Sequence, residues 1–442
     1  MKVAVVGLGY AGLCTAACLG KKFEVVGVEV DGERVSKLNR GQAPIHEKGL
    51  PGLLKSGVAR RVLSFTEDFG SVRGADFVFI AVGTPSKPDG SIDLSQVTSA
   101  SAAIGRQLAK TKKRPVVVVK STVTPGTATS VVKPSLEKES GKSCGEGFGL
   151  CSNPEFLREG AAIEDTLRPD RVILGPLDER SGRAMKSLYL RFYGRRSPPM
   201  VVTTPENAEL IKYASNTFLA TKISFINFIA RICETLPGAD VQEIAFGMGL
   251  DPRIGERFLQ AGPGFGGACF PKDSRALSAF VWQRGIDNTL LRAVLEINDT
   301  QPDWIVSAVE RALGRIEEKN IAILGVAFKE ESDDVRESRA IVLARKLLNK
   351  RAILRITDPQ ALEGARKELG GDAKYFATAK DCIEGADAAI VMTAWKDFGI
   401  LKARDFVALM RTPFVIDARR IYPVEEFRLG GVNLRAIGLG EA

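Results

Sequence analysis

Residues 262–273 place one thiol in a short segment rich in glycine. Four glycines precede Cys269, and Lys272 and Asp273 follow it. Glycine lets the backbone approach a ligand closely, and a helix predicted over residues 274–284 begins just after the thiol. The positive end of a helix and a neighbouring ammonium group both lower the pKa of a cysteine and favour the thiolate. The segment therefore predicts a nucleophilic cysteine; a glycine turn with an incidental buried cysteine is the alternative.

The beginning of the chain has the pattern of a dinucleotide-binding unit. An apolar run over residues 2–6 predicts a strand, and an alanine-rich run over residues 13–19 predicts a helix. Between them Gly7, Gly9 and Gly12 form a GxGxxG motif that also contains Tyr10 and Ala11. Such glycines allow a tight turn, close approach to a pyrophosphate and close packing of helix on strand. An ordinary strand–helix–strand unit without a ligand is the alternative.

A second predicted strand, over residues 24–30, carries the residues that would choose between cofactors. Glu29 lies about twenty residues after the glycines, where a carboxylate binds the ribose 2′-hydroxyl. A carboxylate there repels a 2′-phosphate, so the sequence favours NAD over NADP. Arg34 follows closely and weakens that preference slightly.

Four further strands are predicted, over residues 77–82, 116–119, 149–152 and 172–175, and polar loops follow the first three. The first loop contains Gly83, Thr84 and Pro85, the second contains Thr122, and the third consists of residues 153–159. Ligands of open α/β sheets bind beyond the carboxyl ends of the strands. The three loops are therefore expected to outline one cleft.

A nicotinamide cofactor together with an activated cysteine indicates oxidation beyond the aldehyde. Lys212 and Asn216 are four residues apart on a predicted helix and project from one face. Lys212 is suited to stabilise an oxyanion, a role that Asn216 and Thr122 could share. Asp273, or Glu159 through a water molecule, is suited to act as the general base.

These residues need a scaffold, and the chain predicts two Rossmann-like α/β domains joined by helices. Strand and helix patterns alternate in the first half, as a doubly wound parallel sheet requires. Residues 206–235 contain neither proline nor glycine and predict one long helix that bridges the domains and packs against a partner subunit. Strands over 320–325, 352–357, 388–392 and 413–417 predict a second, smaller sheet. The domain boundaries are placed at 1–204, 205–304 and 305–442.

Composition narrows the function classes. A chain of 442 residues with 45% hydrophobic residues has the size and composition of a multidomain globular protein. A net charge of +9 without a basic stripe argues against nucleic acid, and the absence of a long apolar run or signal peptide argues against a membrane. Seven scattered cysteines predict a reducing compartment, which we take to be the cytoplasm. The chain has a single histidine, His46, which leaves little basis for a metal site.

Taken together, these motifs resemble the UDP-glucose/GDP-mannose dehydrogenase family over nearly the whole chain. The resemblance rests on the GxGxxG turn, the Gly83-Thr84-Pro85 turn, Thr122, residues 153–159 and 211–216, the Cys269 loop, and residues 325–336. It implies NAD as the cofactor, a homodimer formed through the long helix, and the four-electron oxidation of a nucleotide sugar at C6 to a uronate. It assigns Cys269 as the nucleophile, with Lys212, Asn216 and Asp273 as polar partners and with Thr122 and Glu159 positioning water and cofactor.

The resemblance also implies binding residues. Lys272 and Arg336 would contact NAD, and Arg253 would reach the substrate of a neighbouring subunit. The remaining substrate contacts are expected from Glu155, Phe156, Leu157, Phe258, Leu259, Gly262, Gly266, Phe270, Lys329 and Arg419. The segment 215–225 and the residues after Cys269 favour UDP-glucose, with UDP-glucuronate as the product. Glu29 stands where the family usually has aspartate, so the geometry at the ribose is expected to differ.

Three alternatives remain open at the level of sequence. In the first alternative, the enzyme is of the same kind but its substrate is GDP-mannose or a UDP-N-acetylamino sugar. In the second, the protein is a two-electron 3-hydroxyacid dehydrogenase, which needs neither Cys269 nor the third domain. In the third, the fold binds nucleotides without catalysis, which the set of Cys269, Lys212, Asn216 and Asp273 argues against.

Overall fold

The structure, a computed structural model, describes residues 1–441. The chain divides into two compact units, Met1–Ser215 and Asn216–Ala442. Each unit contains one sheet and its own hydrophobic core.

The first unit is built on an eight-stranded sheet with the order β3-β2-β1-β4-β5-β6-β7-β8. Its strands are β1 Lys2–Val6, β2 Glu24–Val28, β3 Leu63–Thr66, β4 Phe77–Ile80, β5 Val116–Val119, β6 Gly149–Ser152, β7 Val172–Pro176 and β8 Met200–Val202. The helices are α1 Tyr10–Leu19, α2 Gly32–Asn39, α3 Leu50–Ala59, α4 Ser95–Leu108, α5 Lys133–Ser140, α6 Ala162–Leu167 and α7 Glu179–Tyr193. Short turns of helix lie at Phe69–Gly74, Ala128–Val132 and Gly194–Arg196.

Helices on the faces of this sheet explain its apolar strands. All four valines of β5 are buried, as are all four residues of β4. A parallel strand covered on both faces is apolar throughout rather than alternating, because neither face meets water. The expected parallel arrangement is interrupted once, since β7 runs antiparallel to β6.

A single helix, α8, runs over Pro205–Cys233, and the division between the two units falls within it. Proline is favoured in the first turn of a helix because its missing N–H would have had no partner there. The predicted helix over residues 206–235 is confirmed to within two residues at each end.

The second unit carries a six-stranded sheet with the order β11-β10-β9-β12-β13-β14, in which all neighbours are parallel. Its strands are β9 Asn320–Leu324, β10 Ile353–Thr357, β11 Ala373–Tyr375, β12 Ala388–Val391, β13 Phe414–Asp417 and β14 Asn433–Ala436. The helices are α9 Val241–Gly249, α10 Phe270–Trp282, α11 Thr289–Asp299, α12 Gln301–Leu313, α13 Arg339–Asn349, α14 Leu362–Leu369, α15 Ala379–Ile383, α16 Ala403–Leu409 and α17 Val424–Leu429. Short helical turns lie at Gly370–Asp372 and Phe398–Ile400.

The prediction of two Rossmann-like sheets, the second smaller than the first, is confirmed. Four strands were not predicted: β3, β8, β11 and β14. All four lie at or beside the outer end of a sheet, and they have only three or four residues each. Their sequences are too short to show a strand pattern that stands out from the loops around them.

Candidate active site

The turn after β1 has the geometry of a pyrophosphate cradle. Gly7 has a φ of 89°, and a Cβ on Gly12 would lie 2.0 Å from the carbonyl oxygen of Gly7. Gly9 is the N-cap of α1, no side chain caps this helix end, and a Cβ on Gly9 would have no atom within 4 Å. Glycine is therefore needed at two positions for the turn itself, while the third faces open space. The residues present fit a dinucleotide phosphate over the N–H groups of α1.

Glu29 and Arg34 lie directly beside this turn. Glu29 accepts hydrogen bonds from the backbone N–H groups of Leu8, at 2.9 Å, and Val30, at 2.8 Å. Arg34 donates to the carbonyl oxygen of Leu8 at 3.0 Å. The carboxylate at the end of β2 thus lies where a ribose hydroxyl is bound in folds of this type.

Tyr10, within the glycine motif, takes part in a buried network that the sequence did not indicate. Its hydroxyl donates to the carboxylate of Glu47, which is 3% exposed. The N–H of Gly160 donates to the Tyr10 hydroxyl at 2.8 Å and to Glu47 at 2.9 Å. Burial and the neighbouring Glu47 raise the pKa of Tyr10. Glu47 therefore links the dinucleotide turn to the end of the loop over residues 153–160.

Two of the three polar loops expected to share one cleft are linked by hydrogen bonds. Thr84 donates to the carbonyl oxygen of Thr122 at 2.9 Å, and Ser121 donates to the carbonyl oxygen of Val82 at 2.7 Å. The turn after β4 and the loop after β5 therefore hold each other in place, while Gly83 and Pro85 are exposed beside them.

The loop after β6 contributes a buried ion pair to the same unit. Lys212 on α8 lies 2.9 Å from Glu155, and their side chains are 3% and 10% exposed. Burial alone would raise the pKa of Glu155, but the charge of Lys212 and the N–H of Leu157 outweigh it and hold that pKa below its ordinary value. The ammonium group of Lys212 lies 5.4 Å from the ring centroid of Phe156. Glu159 is half-buried on the same loop.

Lys120, at the end of β5, is a polar residue of this region that sequence reasoning did not single out. Its ammonium group donates to Asn153 at 3.3 Å. Burial lowers the pKa of Lys120 to about 8. The charge of Lys212 lowers this pKa further, whereas the charge of Glu155 raises it. The first unit therefore holds two lysines near one carboxylate.

In the second unit, the predicted nucleophile is the N-cap residue of a helix. Cys269 immediately precedes α10, which begins four residues earlier than the predicted helix. The sequence reading placed the start too late because it took Pro271 as part of the loop, whereas proline is favoured in the first turn. The thiol of Cys269 is therefore closer to the helix end than the sequence suggested.

Asp273 lies in the first turn of α10 and is 1% exposed. It accepts hydrogen bonds from Asn216 at 2.7 Å and from Lys272 at 2.5 Å. Three of the predicted catalytic and cofactor-binding residues are thus joined in one cluster. A carboxylate held between an amide and an ammonium group is fixed in orientation.

Buried amide side chains hold the glycine segment that precedes the thiol. Asn227 accepts from the N–H of Gly262 at 2.8 Å, and Gln301 donates to its carbonyl oxygen at 2.8 Å. Asn298 bonds both the N–H and the carbonyl oxygen of Phe265, at 2.7 and 3.1 Å. These three amides come from α8, α11 and α12, so no local sequence signal could have connected them to the loop.

The glycines of this segment are tightly packed. A Cβ on Gly266 would lie 2.5 Å from the carbonyl oxygen of Glu337, and one on Gly262 would lie 3.2 Å from Arg419. Phe258 has a φ of 66°, and its ring lies 6.1 Å from that of Phe270.

Two predicted contacts of the second unit flank its sheet. Arg419 donates to the carbonyl oxygen of Met392 at 2.8 Å, and burial lowers the pKa of its guanidinium. Lys329 is half-buried in the segment after β9, 5.8 Å from the ring of Phe328, while Leu259 belongs to a buried cluster with α8 and α9.

Two predicted binding arginines are exposed. Arg253 pairs with Asp251 at 2.6 Å, and Arg336 pairs with Asp334 at 2.7 Å. Each pair is formed two residues apart within one loop, so the structure shows these guanidinium groups held by their own loops.

Family models match the chain in three successive segments. Residues 1–193 match the NAD binding domain of the UDP-glucose/GDP-mannose dehydrogenase family, residues 206–300 its central domain, and residues 322–424 its UDP binding domain. The chain therefore belongs to the UDP-glucose/GDP-mannose dehydrogenase family, and NAD is the cofactor of its first domain.

Individual relatives match over nearly their full lengths. A UDP-glucose 6-dehydrogenase of Haloferax volcanii is 41% identical over 423 residues, which are 95% of this chain and 97% of that protein. One of Bacillus subtilis is 38% identical, covering 99% and 98%. The solved structure of a UDP-glucose dehydrogenase from Pyrobaculum islandicum matches with a TM-score of 0.91 and 38% identity, covering 100% of this chain and 98% of that one. Within residues 1–441, no helix has the length and apolar character needed to span a bilayer.

Proposed function

We propose that this protein oxidises UDP-glucose at C6 to UDP-glucuronate, an NAD-dependent four-electron reaction. The observation that carries the proposal is the position of Cys269 at the N-terminus of α10, in a chain whose first unit has an open dinucleotide turn. A dehydrogenase that stopped at the aldehyde would need the turn but not the thiol.

Most residues of the proposed cofactor site belong to the first unit. Gly7, Gly9 and Gly12 shape the turn over the N–H groups of α1, and Glu29 holds the ribose. Tyr10, Ala11, Arg34, Gly83, Thr84, Pro85, Thr122, Glu159, Lys272 and Arg336 complete the proposed set. NAD, when bound, accepts a hydride in each of the two oxidations.

The residues of the chain supply the remaining chemistry. The sulfur of Cys269 adds to the aldehyde carbon and gives a thiohemiacetal, whose oxidation gives a thioester that water cleaves to the acid. Lys212 stabilises the negative oxygen that develops at C6, with Asn216 and Thr122 as further hydrogen-bond donors. Asp273, or Glu159 through water, takes the proton.

The fixed orientation of Asp273 supports its proposed role. Its carboxylate is buried and held by Asn216 and Lys272, so it presents one geometry to the first turn of α10. A group that is held before the substrate arrives avoids a reorganisation cost during the reaction.

The nucleotide sugar is held by Glu155, Phe156, Leu157, Phe258, Leu259, Gly262, Gly266, Phe270, Lys329 and Arg419, with Arg253 reaching a neighbouring subunit. We place the corresponding domains at 1–204, 205–304 and 305–442. Glycine fits at positions 262 and 266 because a Cβ there would crowd Arg419 and the carbonyl oxygen of Glu337.

UDP-glucose is preferred as the substrate because the relatives named above are UDP-glucose dehydrogenases at 38–41% identity over nearly their full length. A solved structure named as a UDP-D-ManNAc dehydrogenase, from Pyrococcus horikoshii, is 28% identical with a TM-score of 0.87. Sugars of that kind, and GDP-mannose, are the competing substrates.

The test is to incubate the protein with NAD and a panel of UDP- and GDP-sugars and to measure NADH formed per sugar consumed. We expect two NADH per UDP-glucose and a carboxylic acid product. One NADH per substrate would support the two-electron alternative, and turnover of another sugar alone would replace UDP-glucose.

A homodimer is part of the proposal because α8 exposes aromatic side chains. Phe218, Phe225 and Phe228 are 65%, 44% and 47% exposed along this helix. Exposed aromatic residues grouped on one helix are typical of a protein interface. Light scattering of the wild type and of a Phe218→Ser/Phe225→Ser variant tests this, and a monomeric wild type would refute it.

The cytoplasm is the proposed location. All seven cysteines are free thiols, as a reducing compartment would leave them.

A further inference from the structure

A buried carboxylate on α8, Glu209, has no role in the reaction outlined above. It lies three residues before Lys212 and is 3% exposed. Its two oxygens accept hydrogen bonds from the N–H of Gly126 at 2.7 Å, the N–H of Ala128 at 3.0 Å and the hydroxyl of Ser152 at 2.9 Å. Burying a carboxylate is costly, so a site that holds one with three directed donors is a built feature.

The three donors belong to segments that carry proposed active-site residues. Gly126 and Ala128 lie in the stretch that leads from Thr122 into the π-helical turn Ala128–Val132. Ser152 is the last residue of β6, directly before the loop that carries Glu155. A π-helical turn is rare, and such turns occur frequently at functional sites.

We propose that Glu209 is a positioning residue for the oxidation of the nucleotide sugar, an inference that rests on the proposed function. Its carboxylate holds the segment after Thr122 and the end of β6 against α8. The same contacts fix the placement of Thr122, Glu155 and Lys212 relative to one another within the first unit. Glu209 itself touches neither substrate nor cofactor.

Three accepted hydrogen bonds favour the carboxylate form of Glu209 and oppose burial, which raises the pKa of Glu209 to about 7. Both oxygens of Glu209 are used, and two of the three donors are backbone N–H groups that cannot reverse their polarity. An amide of the same shape would turn an NH₂ group toward one of these donors. The substitution Glu209→Gln therefore leaves the volume unchanged but breaks at least one contact and sets donor against donor.

The closing experiment compares Glu209→Gln with the control Glu206→Gln. Glu206 is exposed on the same helix and accepts a hydrogen bond from Thr129 at 3.0 Å, so it touches the same segment from the surface. Because a misplacement of about 1 Å near the reacting atoms lowers a rate by roughly 100-fold, we expect kcat of Glu209→Gln to fall roughly 10- to 100-fold. KM for NAD and for UDP-glucose should change by less than about threefold, and Glu206→Gln should match the wild type.

A second measurement reports on the contact itself. In the wild type, the amide hydrogens of Gly126 and Ala128 are bonded to a buried acceptor and should exchange slowly with solvent. Exchange in a peptide over residues 124–130 should accelerate in Glu209→Gln and not in Glu206→Gln.

A kcat within about twofold of the wild type, with only a lower melting temperature, would show a purely structural role and overturn the proposal. Equal losses in the two variants would overturn it as well. If Glu209→Gln does not fold, Ser152→Ala decides, because it removes one donor and keeps both N–H contacts; an unchanged kcat there also refutes the idea. A wild type that forms no NADH from any sugar refutes the proposed function, whereas the exchange measurement still tests the contact.

Discussion

Replacing Lys212 by methionine would leave the carboxylate of Glu155 buried without its nearest cation. The two groups are 2.9 Å apart, with side chains 3% and 10% exposed. Removing one partner of a buried ion pair costs about 3–5 kcal/mol, because the remaining charge has lost both water and its counter-ion. Lys120 and the N–H of Leu157 still favour the carboxylate, so we expect a loss of about 3 kcal/mol in the free energy of unfolding at pH 7.

The loss should depend on pH in a direction that the structure fixes. In the wild type the pKa of Glu155 lies below its ordinary value. The ion pair therefore stabilises the folded protein fully at any pH above the pKa that Glu155 has in the unfolded chain. This stabilisation is lost as pH falls through the lower pKa that Glu155 has in the folded protein. In Lys212→Met, burial becomes the dominant influence and raises the pKa of Glu155. The carboxyl group can then bind a proton, so the deficit relative to the wild type should shrink as pH falls from about 7 to about 5.

Urea denaturation followed by far-UV circular dichroism is the suitable assay. The three tryptophans, Trp282, Trp304 and Trp395, all lie in the second unit, so their fluorescence does not report on this pair. Lys186→Met is the matched control, because Lys186 is exposed on α7 of the same unit. Adding Glu155→Gln to Lys212→Met should recover about 2 kcal/mol, since the two changes are coupled. A loss equal to that of the control, or one that does not vary with pH, would refute the reasoning.

Three further outcomes follow from the geometry. Cys269→Ser should still bind NAD and UDP-glucose, measured by calorimetry, but should release no uronate; undiminished acid production would remove the thiol from the mechanism. Gly9→Ala should keep its melting temperature and bind NAD more weakly, whereas Gly12→Ala should lose stability, because its Cβ would lie 2.0 Å from a carbonyl oxygen; equal melting temperatures would contradict this. Burial lowers the pKa of Lys120 to about 8, so above that pH the unfolded chain binds more protons than the folded protein. The stability of the wild type relative to Lys120→Met should therefore rise from pH 8 to about 10. A difference in urea midpoints that does not change with pH would contradict this prediction.

The sequence was informative where a local pattern has one physical meaning. The GxGxxG turn is a local feature, because its glycines, its strand and its helix lie within eighteen consecutive residues. The helix α8 was predictable because thirty residues without proline or glycine have few other conformations. Cys269 is the proposed nucleophile, a prediction that depends on its sequence neighbours alone.

Other parts of the site depend on residues far apart in the chain. Glu47 meets Gly160 across 113 positions, and Glu209 meets Gly126 across 83. A glutamate in an amphipathic helix has the same local sequence whether it faces water or a backbone N–H group. Only the packed structure distinguishes the buried Glu209 from the exposed Glu206.

The sequence by itself determined the class of fold, the cofactor turn and the kind of chemistry, because each depends on residue types at short, fixed spacings. Tertiary structure decided which carboxylates are held and by what. It paired Glu155 with Lys212, enclosed Asp273 between Asn216 and Lys272, and turned Glu209 inward. The reason is that a buried charge is tolerated only where several distant segments bring donors to it, and that convergence exists only in the folded chain.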